Sequence, residues 1–138
     1  MALDERHMQI GEVAERTGLS LRTIRYYGEV GLVQPSARSP GGFRLYTGAD
    51  VERLLLVRRM KPLDFSLEEM ADLLGVLDRL AGAGPDERAG LRERLAMYEQ
   101  VAQARCAALR EQLETAEEFA AQLREARRVA RGKESNRR

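Results

Sequence analysis

Apolar residues recur along this chain in two rhythms. In the first half they come in short runs at helical spacing. Ile10, Val13 and Ala14 form one inward face, and Leu21, Ile24 and Tyr27 form a second. Between them lies Thr17-Gly18-Leu19-Ser20. Gly18 sits where the first helix must stop and the chain must turn left-handed, and Ser20 is placed to cap the next helix. The spacing predicts a helix-turn-helix whose second helix runs from Leu21 to about Tyr27 or Val30. Extended pieces around Val33 and around Arg44 to Tyr46 then flank a Ser/Pro/Gly loop from Ser36 to Phe43, which predicts a hairpin wing.

A third helix begins at Gly48-Ala49-Asp50, with Thr47 or Asp50 as its cap and Val51, Leu54, Leu55 and Arg58 on its inner side. Pro62 ends it, because proline lacks the donor and restricts Lys61. Phe65 staples a fourth helix, and Ser66 with Glu69 forms a capping box. The stripe Leu67, Met70, Ala71, Leu74, Leu77 is expected to pack inward.

The second rhythm follows a break, Leu80 to Pro85 (LAGAGP). Leu95, Ala102, Leu109, Ala116 and Leu123 recur at intervals of seven, flanked by Leu91, Tyr98, Cys106, Leu113, Phe119 and Ala120. That is a coiled-coil seam. Residues 86–129 contain no proline and only Gly90, so they predict one long helix. A narrow apolar stripe on so long a helix must bury against a partner, and a second copy of the same helix is the simplest one. Spacing alone leaves parallel and antiparallel pairing open.

The polar face of the predicted second helix carries the chemistry. Arg22, Thr23, Arg25 and Tyr26 fall opposite Leu21 and Ile24. Guanidinium groups clamp phosphates or reach both guanine acceptors in the major groove, and hydroxyls donate to phosphate oxygens. A solvated basic face would use the same residue types. The loop bearing Arg38 and Arg44 beside this helix favours duplex DNA.

These segments together resemble the MerR family of transcriptional regulators. The carrying residues are Ile10-Gly11-Glu12-Val13-Ala14, Thr17-Gly18-Leu19-Ser20, Thr23-Ile24-Arg25-Tyr26-Tyr27, Gly31-Leu32, Gly42-Phe43-Arg44-Leu45-Tyr46 and Asp50-Val51-Glu52-Arg53-Leu54. They recur in register over about half of the chain. Two departures stand out. Gly28 occupies the place where the family usually has Glu after the tyrosine pair, and Asp64 the place where it commonly has Gly.

The resemblance implies a mainly α fold, with a winged helix-turn-helix head of four helices plus a small β-hairpin wing and a long antiparallel dimerisation helix. It also implies DNA contacts by Ser20, Arg22, Thr23, Arg25, Tyr26, Tyr27, Arg38, Arg44, Tyr46 and Lys61, the last in a second wing where Arg58 or Arg59 would join it. The dimer interface would comprise Leu91, Leu95, Tyr98, Ala102, Cys106, Leu109, Leu113, Ala116 and Leu123. The implied mechanism is bending and untwisting of a palindromic promoter for RNA polymerase. An architectural DNA binder or a coiled-coil adaptor is the alternative.

Composition trims these options. The net charge of the 138 residues is only +1, so local arginines, not global charge, must neutralise phosphate. The charge is split: residues 1–64 hold ten Lys/Arg against eight Asp/Glu, residues 65–126 seven against thirteen, and residues 127–138 six against one. A DNA-facing head and an acidic helical middle fit that division. The single cysteine excludes an intramolecular disulfide, and one thiol per subunit cannot build a closed thiolate metal site. Cys106 reads as a buried structural residue, with a thiol sensor as the alternative. His7, the only histidine, carries no metal or catalytic expectation. No apolar run approaches a membrane span, so a cytoplasmic protein is expected. No catalytic pair or phosphate loop converges, so neither an enzyme nor a cofactor is expected, and no small-molecule effector is specified. The expected organisation is a disordered start over residues 1–7, a DNA-binding domain over 8–79, a linker over 80–85, a dimerisation helix over 86–129 and a disordered basic tail over 130–138. Any ligand pocket is expected among the fourth helix, the Gly-rich break and the long helix.

Overall fold

The computed structural model describes residues 6–136. The chain divides into two compact units, one ending at Ala96 and the other beginning at Met97. In the first unit, β1 (Met8–Gln9) leads directly into α1 (Ile10–Thr17), and α2 (Leu21–Glu29) follows after a three-residue turn. The wing strands β2 (Ala37–Arg38) and β3 (Arg44–Tyr46) precede α3 (Gly48–Met60), a 3₁₀ turn (Lys61–Leu63) and α4 (Leu67–Leu80). The long helix α5 runs from Pro85 to Asn136. No helix among the described residues is long and apolar enough to cross a membrane.

Local signals set the helix ends. Gly18 takes φ 72° and its N–H closes on the Ala14 carbonyl, so α1 stops there. The Ser20 hydroxyl accepts the Thr23 N–H at 3.1 Å and caps α2. Thr47 and Asp50 share the capping of α3 as the two halves of one box, and Ser66 with Glu69 does the same for α4. Among the described residues Asp64 is the non-glycine residue with positive φ, at 60°. It stands where the resemblance expects glycine, and its short polar side chain tolerates the left-handed turn between the 3₁₀ turn and α4.

Several expectations change. No strand forms at Val33. The Leu32 and Val33 N–H groups both go to the Tyr27 carbonyl, at 2.9 and 3.2 Å, folding the chain back over the end of α2. Pro35 cannot donate to a ladder, so pairing starts only at Ala37. The sheet gains an unforeseen third strand, in the order β1-β3-β2, with Met8 opposite Tyr46 and Arg38 opposite Arg44. Leu21 is exposed rather than inward. On α4 the buried residues are Met70, Leu74 and Val76, while Leu67, Ala71 and Leu77 are exposed. The tail expected to be irregular from Ala130 is helical through Asn136, because nothing between 130 and 136 breaks a helix except the mildly unfavourable Gly132. Of the start expected to be disordered, residues 1–5 lie outside the described residues; Arg6 pairs with Glu12 at 2.8 Å.

The core of the head is Val13, Ile24, Tyr27, Val33, Tyr46, Leu54, Val57 and Met70, all buried. Polar ties fasten its layers. Arg53 of α3 reaches Asp78 of α4 at 2.7 Å, and Asp72 of α4 pairs with Arg94 in the early part of α5.

Candidate nucleic-acid interface

The second helix divides cleanly. Ile24 and Tyr27 are buried, while Arg22, Arg25 and Tyr26 are exposed on the opposite side. Tyr27, at 3 % exposure, is therefore a core residue and not a DNA contact. Its ring lies 5.9 Å from that of Tyr26, at 50°, and so supports the exposed phenol. Ser20 and Thr23 are occupied locally: the Ser20 hydroxyl donates to Thr23 Oγ1 at 2.9 Å while accepting the Thr23 N–H.

The wing returns beside this helix. Its tip closes through the Gly42 N–H to the Ser39 carbonyl, 2.8 Å, and the Ser39 N–H to the Phe43 carbonyl, 2.9 Å. Arg38 braces the tip by donating to the Gly42 carbonyl at 3.1 Å. Arg25 of α2 and Arg38, Phe43 and Arg44 of the wing line one depression. Three cationic side chains thus converge from two elements, with the Phe43 ring, 64 % exposed, lining the same depression. Phe43 was not singled out from the sequence as a site residue; a large apolar residue at the tip of a Gly/Pro loop has no interior to enter, which is the signal that marks it.

Tyr46 must be reassigned. It is 0 % exposed and its hydroxyl has no hydrogen-bond partner among the described residues. Burial raises its pKa, opposed first by the positive field of Arg44. Such a ring anchors β3 and cannot reach a phosphate. Arg58 is also spent structurally. Its Nη1 donates to the Thr17 carbonyl at 2.8 Å, and its guanidinium covers Gly18 so closely that an added Cβ would meet it at 3.2 Å. The cation satisfies the carboxyl end of α1 and opposes its dipole. Arg59 and Lys61 remain exposed at the end of α3, outside the Arg25–Arg38–Arg44 depression.

The family model of the MerR HTH regulatory proteins matches residues 8–76. That span contains both helices, the wing and α3 with its following turn. The chain belongs to the MerR family. It is 44 % identical over 71 residues to the mercuric resistance operon regulatory protein of Bacillus cereus, covering 51 % of this chain and 54 % of that protein. It is 37 % identical over 93 residues to the HTH-type transcriptional regulator CueR of Yersinia pestis, covering 67 % of each. The crystal structure of HiNmlR, a MerR family regulator lacking the sensor domain, bound to promoter DNA, superposes with a TM-score of 0.61 at 25 % identity, covering 84 % of this chain and 89 % of that one. The chain spans about half to two thirds of the length of the curated relatives it matches.

Beyond the matched span, this MerR-family chain differs from residue to residue along its seam. Leu91 and Tyr98 are buried. Leu95, Ala102 and Cys106 are half-buried. Leu109, Leu113, Ala116 and Leu123 are exposed, and Phe119 lies beside them at 60 %. Among the described residues no group of three or more His, Cys, Asp or Glu is arranged to hold a metal ion. A groove of about 830 Å³ opens not at the Gly-rich break but over α3 and α4, with Arg16, Leu55, Leu56, Arg59 and Leu77 among its lining residues.

Proposed function

We propose that the protein is a sequence-specific, DNA-binding transcriptional regulator. The observation that carries this reading is the convergence of Arg25 with Arg38 and Arg44 on one side of a helix whose opposite side is locked into the core. A duplex presents phosphates on both walls of the major groove. A helix entering that groove brings Arg22, Arg25 and Tyr26 to base edges and backbone, while a neighbouring wing grips the adjacent phosphates. Arg59 and Lys61 add a second cationic point at the end of α3. The promoter-DNA complex of HiNmlR supports the same class of ligand.

The active species is a homodimer joined through the outer seam of α5, Leu109 to Leu123, with antiparallel pairing as the family resemblance implies. Two heads then address a roughly palindromic site whose half-sites are separated by whole turns of the duplex. Deformation of the intervening DNA lets RNA polymerase engage promoter elements that are otherwise poorly spaced. In vitro transcription from the promoter upstream of its own gene, with reduced and ligand-free protein, tests this. Activation or repression that requires a specific site is the expected result. Uniform, sequence-independent binding with no effect on initiation would mean an architectural protein instead.

A further inference from the structure

Ser36 stands immediately before the wing strand β2, and its hydroxyl donates to Asp50 Oδ2 at 2.6 Å. The Asp50 side chain is buried, at 2 % exposure. The same oxygen accepts the Thr47 N–H at 2.9 Å, completing the cap of α3. Oδ1 faces Arg53 at 3.6 Å, and Arg53 continues to Asp78 on α4. One carboxylate therefore joins the root of the wing, the start of α3 and, through Arg53, α4.

Helix capping accounts for the Thr47 contact alone. The Ser36 hydroxyl comes from fourteen residues upstream and is neither of the two capping-box groups, although it shares Asp50 Oδ2 with them. The wing, by contrast, needs an anchor: β1 holds β3 from the other side, but β2 rests on a ladder of two residue pairs alone, too short to hold its orientation. A hydrogen bond to an ionised, buried acceptor is short and strong, and breaking it leaves part of a carboxylate unsatisfied. We propose that Asp50 is a positioning residue that fixes the wing through Ser36, so that Arg38 and Arg44 stand beside Arg25 in register for DNA. The DNA part of this proposal rests on the DNA-binding reading above.

The test compares wild type with Ser36→Ala, which removes the hydroxyl, and Ser36→Thr, which keeps it, while both capping-box residues Thr47 and Asp50 stay in place. In the free protein, hydrogen exchange of the backbone amides from Arg38 to Tyr46 should speed up about tenfold in Ser36→Ala while those of α1 and α2 stay unchanged. On promoter DNA, affinity should fall about five- to tenfold, with hydroxyl-radical protection lost only at the phosphates under the wing. Ser36→Thr should recover both. Unchanged wing exchange in Ser36→Ala, exchange that rises evenly across the head, or an even loss of the whole footprint would each overturn the proposal. If wild type protects no promoter site, the DNA-binding reading is what fails, and wing exchange in the free protein still decides whether this bond holds the wing.

Discussion

The head and the outer part of α5 handle apolar residues in opposite ways. In the head, Ile24, Tyr46 and Leu54 are wholly or almost wholly removed from water within one chain, and the charges near them are paired or capped: Asp50 by Ser36 and Thr47, Thr17's carbonyl by Arg58. From Leu109 to Leu123 the larger apolar side chains sit mostly in the open, Leu113 at 59 % and Phe119 at 60 %. The first region is finished as a monomer. The second leaves an apolar stripe in the open, which in the proposed homodimer a second copy covers. In the proposed homodimer the reading of DNA is separate from the geometry that presents two readers together, and changes in one region should leave the other's structure intact.

That separation can be broken at graded cost. Leu54→Ala removes a fully buried side chain from the head and should cost about 2–5 kcal/mol of stability, enough to melt the DNA-binding unit in a thermal scan. Leu109→Glu places a charge on the open seam. Sedimentation should show a monomer, and promoter affinity should drop at least about a hundredfold, because one head gains no help from a second. The near-ultraviolet signal of the head tyrosines should be unchanged. A Leu109→Glu protein that remains dimeric and binds normally would remove the seam from the account.

Arg25→Ala should leave dimerisation and melting temperature as they are and weaken promoter binding by roughly 1–3 kcal/mol, measured by mobility shift. If Arg25 reads guanine, sequence preference relaxes; if it grips phosphate, specific and non-specific binding fall together and the salt slope decreases by about one. The smallest effect is Gly28→Ala. Its added Cβ would meet the Val33 carbonyl oxygen at 3.7 Å and Pro35 Cδ at 3.9 Å, ordinary contact inside a helix. The head should gain about 0.5–1 kcal/mol in denaturant unfolding with DNA affinity unaltered.

What could be read from the sequence was local. Gly18, Ser20, Ser66 and Glu69 act on groups within four residues of themselves, so spacing alone placed the ends of α1, α2 and α4. The seven-residue rhythm is local as well, and it marks a stripe on α5 without telling that Leu91 and Tyr98 in it are buried. Errors came where distant residues decide. Tyr26 and Tyr27 are identical in type and adjacent, and only the packing of α2 on the core turns one outward and the other in. Tyr46 resembled a wing contact until its strand was paired with β1, whose two residues give no sequence signal of a strand. Arg58 and Ser36 found partners 41 and 14 residues away, Thr17 and Asp50.

Footprinting on the promoter upstream of the protein's own gene tests the central claim most directly. The account predicts two symmetric protected half-sites separated by whole duplex turns, a distorted segment between them, and loss of the whole pattern in Leu109→Glu at concentrations that saturate wild type. One protected half-site that survives in Leu109→Glu, or even protection along any DNA offered, would contradict it.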